Sequence, residues 1–225
     1  MIDKRVQSIA CALEGLRDDS TILVGGFSTS GRPSDLLRGV LELGIKGLTL
    51  IANNATTGTD VVAQMLHAGV IRKIVCSFPR GIEGHSIFDD LYQAGKIELE
   101  LVPQGTLAER IRAGSAGIGG FFTRTAAGTE LARGKESRMI DGHLYILEQP
   151  LRADVALIRG QCGDRMGNLT YHRGARVNNP VMAGAADLTI AQVAQIVEVG
   201  AIDPEHVITP GIFVDRLVEV TCSRE

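Results

Sequence analysis

The sequence predicts an α/β fold: a mainly parallel sheet flanked by helices, with a small β-rich insertion in the second half. Three observations predict it. Short apolar, β-prone runs alternate with longer segments whose apolar residues recur at spacings of three and four. A glycine-rich turn follows the first such run and leads into a helix-type segment. Past the midpoint, the turn pair Asp141-Gly142 separates two short β-prone runs, which marks a hairpin and not a helical crossover.

Taken in order, an amphipathic N-terminal helix is expected over 4–16, followed by a strand over 21–26. Strands over 48–53, 72–78 and 98–103 alternate with helices over 33–43, 59–68, 86–94 and 105–113, a layout of parallel strands joined by crossovers. The hairpin occupies 134–153. Further strands are expected over 155–159 and 169–172, joined through the turn-rich 163–168, then a small-residue helix near 180–187. From 188 to 220 the chain reads as strands and loops punctuated by Pro204 and Pro210. There is no internal repeat, and one domain over 1–225 is expected.

With 44% hydrophobic and 22% charged residues and a net charge of −3, the composition is that of an ordinary soluble protein. It invites neither nucleic acid nor a membrane surface as a partner. The cysteines, Cys11, Cys76, Cys162 and Cys222, lie far apart with no C-x-x-C pair, so no zinc site or disulfide framework is read and reduced thiols in the cytoplasm are expected. The histidines show no metal-ligand spacing, and no export signal or bilayer-length apolar run is seen.

The richest segment is Gly25-Gly26-Phe27-Ser28-Thr29-Ser30-Gly31-Arg32-Pro33. Glycines let a backbone approach a ligand closely, and a helix beginning at Pro33 would offer free amides, so an anionic ligand is expected here. The spacing from Gly26 to Gly31 is that of a phosphate-binding P-loop, but Arg32-Pro33 replaces the required Lys-Ser/Thr. A serine-hydrolase elbow needs glycine two residues after Ser28, where Ser30 stands. Asn53 and Asn54, at the end of the second strand, sit where open α/β sheets bind ligands, and can equally make a turn and cap a helix. Gln104, just after the fourth strand, reads from its position as a neighbour of a helix cap. Glu109, Arg110 and Arg112 read as a solvated helix face or subunit contacts.

The run from Asp19 to Pro33, with its Gly-Gly-Phe loop and Gly-x-Pro close, resembles the signature of family I CoA transferase alpha subunits. Other landmarks follow in order along nearly the whole chain: Asn53-Asn54, Cys76-Ser77-Phe78-Pro79-Arg80, the stretch 102–112 and the segments 151–158, 164–171 and 208–214. Residues 76–80 and 91–100 look most like the 3-oxoadipate branch. Ser28, Thr56, residues 123–129 and residues 175–179 depart from the family pattern, which puts acyl specificity, and not fold, in question.

The resemblance implies a CoA-transferase/NagB-like fold and ping-pong transfer of CoA from succinyl-CoA to a 3-oxo acid such as 3-oxoadipate, part of aromatic catabolism. No permanently bound cofactor or metal is implied; CoA and acyl-CoA are substrates. The nucleophilic glutamate is expected on a beta subunit, in an α2β2 assembly, since its motif is not found here and Glu83-Gly84 lacks the apolar flanks. This chain is then expected to contribute Gly25, Gly26, Phe27, Ser28, Thr29, Ser30 and Gly31 to CoA or acyl binding, with Gln104 as a polar partner of the reacting carboxylate. Asn53 and Asn54 are further substrate contacts, and Arg80, then Arg32, are the cations for a distal carboxylate. An acetate- or acetoacetate-type transferase is the nearer alternative, and a non-catalytic CoA-ester or sugar-phosphate binder the farther one.

Overall fold

A computed structural model describes residues 2–56, 58–79 and 84–220. Strands β1 (Thr21–Val24), β2 (Leu48–Ala52), β3 (Ile71–Cys76) and β4 (Glu98–Leu101) alternate with helices α2 (Ser34–Glu42), α3 (Val61–His67) and α4 (Ile87–Gln93). A single helical turn, α1 (Ile9–Ala12), precedes them and α5 (Gln104–Ala116) follows. Strands β5 (Phe121–Thr123), β6 (Ser137–Ile140) and β7 (His143–Glu148) come next, then β8 (Ala153–Asp164), α6 (Asn179–Ala183), β9 (Ala186–Val197) and β10 (Arg216–Glu219). Among the described residues the main sheet has seven strands in the order β10-β9-β8-β1-β2-β3-β4, all neighbours parallel. The order runs outward from β1 in both directions. The carboxyl end of β1 is therefore a switch point, where diverging crossovers leave a crevice at the strand ends.

Alternating side chains feed two cores, one on each face of the sheet. Ile22, Val24, Leu50, Ala52, Ile74 and Cys76 pack against α2, α3 and α4. Leu23, Ile51, Val75, Val102, Ala156 and Ile158 face α5 and α6. Burial raises the Cys76 thiol to about 12, so it behaves as a core apolar group.

The expected hairpin is present: β6 and β7 pair antiparallel up to Ile140 opposite His143, and Asp141 and Gly142 take positive φ angles of 48° and 74° between them. β5 completes a small three-stranded sheet with order β5-β7-β6. Four expectations are corrected. The helix over 4–16 shrinks to α1, because the Val6 N–H donates to Leu217 and the Leu217 N–H to Lys4, docking that segment in extended form on β10. The strand expected at 155–159 is β8, twelve residues long through its pairing with β9. Residues 169–172 form only bridges at Leu169, to Gly163 and Thr209. The small-residue helix ends at Ala183, and Ala186 and Asp187 already belong to β9.

Arg110 of α5 is 9% exposed, not a solvated residue like its neighbours Glu109 and Arg112, which pair on the surface. Its guanidinium bonds Glu100 at 2.9 Å and the Gln149 carbonyl at 2.8 Å. Lys73 also reaches Glu100, at 2.7 Å, and Lys135 reaches the buried Glu148 at 2.6 Å. Burial pushes Glu100 upward, but the hydrogen bonds from Lys73 and Arg110 outweigh it and hold the carboxyl below its ordinary range. These charges fix the register of α5 on the sheet, and with it the place of Gln104 at the helix start.

Candidate active site

The glycine loop emerges from β1 at the switch point. Phe27 and Ser30 exchange backbone hydrogen bonds of 2.9 and 3.0 Å, which folds 27–30 into a tight turn. Gly26, Ser28 and Gly31 adopt φ values of +100°, +55° and +71°. A side chain cannot be added at Gly25 without meeting Asn179, since a Cβ there would lie 1.8 Å from Asn179 Oδ1. A Cβ on Gly31 would lie 2.5 Å from that of Ala175. The loop is pinned by Asn178 Nδ2 donating to the Gly26 carbonyl (2.7 Å) and Asn179 Nδ2 to that of Gly31 (3.0 Å). Asn178 and Asn179 were not singled out from the sequence as site residues, because their role is contact with a segment about 150 positions away.

The amides of this region divide into two sets. Of those at the α2 start, expected to receive an anion, three are taken up internally, the Ser34 N–H by the Arg32 carbonyl, the Leu36 N–H by Gln192 Oε1 and the Leu37 N–H by the Pro33 carbonyl, while the Asp35 N–H donates to no group among the described residues. Pro33 stands at the cap position just before the helix. The N–H groups of Thr29 and Gly31, in the turn, donate to no group among the described residues. The turn that carries the Thr29 and Gly31 amides exposes Phe27, Thr29 and Ser30 at its tip.

Beside the loop, Asn53 and Gln104 come together. Gln104 Nε2 donates to Asn53 Oδ1 (3.1 Å), Asn53 Nδ2 donates to Asn54 Oδ1 (2.6 Å), and the Ser28 N–H donates to the same Asn54 oxygen (3.1 Å). A continuous chain of amides thus runs from α5 through the end of β2 to the glycine loop. Asn53 is 3% exposed, while Gln104 is open to solvent. The strand registers, Val24 opposite Ala52 and Ile51 opposite Val75, place Gly25, Asn53 and Ser77 on one level at the strand ends, on the α5 face. The Ser77 and Phe78 N–H groups both donate to the Asn53 carbonyl at 3.1 Å.

Arg32 lies elsewhere. It is 4% exposed and ion-paired with Asp60, which also accepts from Thr56 and caps α3 through the Ala63 N–H. Its charge joins the starts of α2 and α3 and is turned away from solvent. Arg80 and Glu83 lie outside the described residues. A cavity of about 330 Å³ between α3 and α4 is lined by Thr56, Gln64, His67 and His85 among others, on the opposite face of the sheet from Gln104.

The model of the coenzyme A transferase family matches residues 6–220. The chain is 58% identical over 221 residues to the A-subunit of 3-oxoadipate CoA-transferase from Pseudomonas putida, covering 98% of this chain and 95% of that one. It is 51% identical over 220 residues to the protein of the same name from Acinetobacter baylyi, covering 98% and 96%. Among solved structures, glutaconate coenzyme A-transferase from Acidaminococcus fermentans superposes with a TM-score of 0.81 at 20% identity, covering 96% of this chain and 75% of that one. An acyl-CoA transferase from E. coli O157:H7, in a thioester complex with CoA, gives 0.81 at 19% identity over 97% of this chain and 47% of that one. At such identities the superpositions show a shared fold.

Proposed function

This chain belongs to the coenzyme A transferase family, as an alpha subunit of the family I type, and we propose that with a beta subunit it moves CoA from succinyl-CoA to a 3-oxo acid, 3-oxoadipate before others. The observation that carries this is the 58% identity, across 98% of the chain, to the A-subunit of a 3-oxoadipate CoA-transferase. The amide chain supports it, because CoA exchange needs neutral donors around acyl oxygens and no metal or ATP: one thioester replaces another.

In the proposed reaction a glutamate carboxylate, held by the beta subunit, attacks the thioester carbonyl of succinyl-CoA and expels the CoA thiolate, leaving a mixed anhydride. The thiolate then attacks the glutamyl carbonyl, releasing succinate and forming a glutamyl-CoA thioester. The acceptor acid reverses both steps. This chain contributes placement. The 25–31 turn, with the open amides of Thr29 and Gly31, receives CoA or acyl groups, and Gln104, ordered by Asn53, meets the reacting carboxylate. Arg80 is the cation proposed for the distal carboxylate of 3-oxoadipate; Arg32, paired inside with Asp60, ties the end of the glycine loop to the start of α3. The assembly is proposed to be an α2β2 complex of the cytoplasm, serving aromatic catabolism.

The test is reconstitution. This chain mixed with its beta subunit should transfer CoA from succinyl-CoA to 3-oxoadipate faster than to acetoacetate or acetate, and either chain alone should not. Equal preference for acetate would reassign the acyl branch.

A further inference from the structure

Ser77 Oγ is buried and has no hydrogen-bond partner, the single side-chain polar atom so placed among the described residues. An unpaired buried hydroxyl is destabilising, and native chains keep few of them. Its place gives it a use. Cys76, the preceding residue, faces the α2–α4 core, so Ser77 faces the α5 side, level with Asn53 and Gly25 at the strand ends.

The neighbouring amides decide what could pair with it. Asn53 Oδ1 is occupied by Gln104, and Asn54 Oδ1 by both Asn53 and the Ser28 N–H. The groups left over are mostly donors: the second Gln104 Nε2 hydrogen, the Asn54 Nδ2 hydrogens, which reach no described residue, and the Ser77 hydroxyl. Neutral donors gathered at strand ends suit an oxygen with full or partial negative charge.

We propose that Ser77 is a substrate-contacting residue whose hydroxyl donates to an oxygen of the reacting carboxylate or thioester carbonyl, beside Gln104. This rests on the transferase function proposed above and adds a residue to it. The ligand-free chain carries the unpaired hydroxyl, and bound substrate completes it.

The experiment compares wild type with Ser77→Ala and Ser77→Cys, each assembled with the beta subunit. Two quantities are read: kcat/KM for CoA exchange, and the shift in Tm on adding 3-oxoadipate. Ser77→Ala should lower kcat/KM about 10- to 100-fold, the range for a lost hydrogen bond to a charged group. It should also shrink the ligand-induced Tm shift, and leave the ligand-free Tm equal or higher, because an unpaired polar group has been removed. The near-isosteric cysteine, a weak donor, should fall between. A kcat/KM and a ligand shift both within about twofold of wild type would overturn the proposal. So would a lower ligand-free Tm, which would reveal an internal partner. If the wild-type pair exchanges no CoA yet only wild type shows the ligand shift, the transferase function falls and the ligand contact stands.

Discussion

Asn53 and Gln104, 51 positions apart, are joined by a hydrogen bond of 3.1 Å from the Gln104 amide to the Asn53 side-chain oxygen. That bond fixes which way the Asn53 amide faces, and so passes its own N–H to Asn54, whose oxygen also holds the Ser28 N–H. The first residue of α5 is thereby tied to the glycine loop without touching it.

Gln104→Ala should lower kcat/KM for CoA exchange about tenfold, the loss of one hydrogen bond near a charged group, with little change in Tm because the side chain is exposed. Asn53→Ala should cost as much activity and lower Tm too, since Asn53 is 3% exposed and ties the neighbouring amides together. Steady-state kinetics paired with thermal melts of the assembled enzyme separates the two.

Asp60→Asn keeps the α3 cap but leaves the Arg32 guanidinium buried without its carboxylate. We expect a loss of about 3 kcal/mol in urea unfolding, the scale for breaking a buried pair. A loss below about 1 kcal/mol, the range of a surface pair, would show that the guanidinium reaches water.

Gly25→Ala forces a methyl group against Asn179 Oδ1, which accepts from the Arg159 N–H while its Nδ2 donates to the Gly31 and Ala175 carbonyls. Denaturation should show destabilisation by about 2 kcal/mol, as for overpacking, with a further loss of activity from the displaced loop. Adding Asn179→Ala to Gly25→Ala should cost less than the sum of the single changes, because the clash disappears.

The Cys76 thiol, raised to about 12 by burial, should resist iodoacetamide at pH 8 in the folded protein while exposed Cys11 is alkylated, as peptide mass mapping would report. The sign of the pH effect follows from the raised value. Folding favours the protonated thiol, so this contribution is intact below the unfolded pKa near 9 and is lost as pH climbs from there toward 12. Cys76→Val should flatten the fall in stability over that window.

What was legible in the sequence was local. The places of β1 to β4 follow from β-prone runs, each expected to run one or two residues past the observed end at Val24, Ala52, Cys76 or Leu101, and the β6–β7 turn follows from Asp141-Gly142. What was not legible depends on distant partners. The extended 4–6 segment answers to Leu217, and the length of β8 answers to β9. Arg32 offered a free cation by position after a strand, until Asp60, 28 residues on, claimed it. Asn53 and Asn54 were proposed from their place at a strand end and Gln104 from the family resemblance; their hydrogen bonding to one another is a property of the sheet register. Ser77 was visible only as part of a landmark, since an unpaired hydroxyl has no sequence signal.

In the proposed enzyme the turn over 25–31 and the amide chain beside it face a site completed by a second polypeptide. Amide hydrogen exchange of this chain, first by itself and then assembled with CoA and its beta subunit, tests it most directly. Peptides covering 26–31 and 53–54 should slow their exchange on assembly with CoA, while peptides of the buried β2 and β8 strands stay as they were. An active assembly in which the 26–31 amides exchange as fast as in the isolated chain would contradict it.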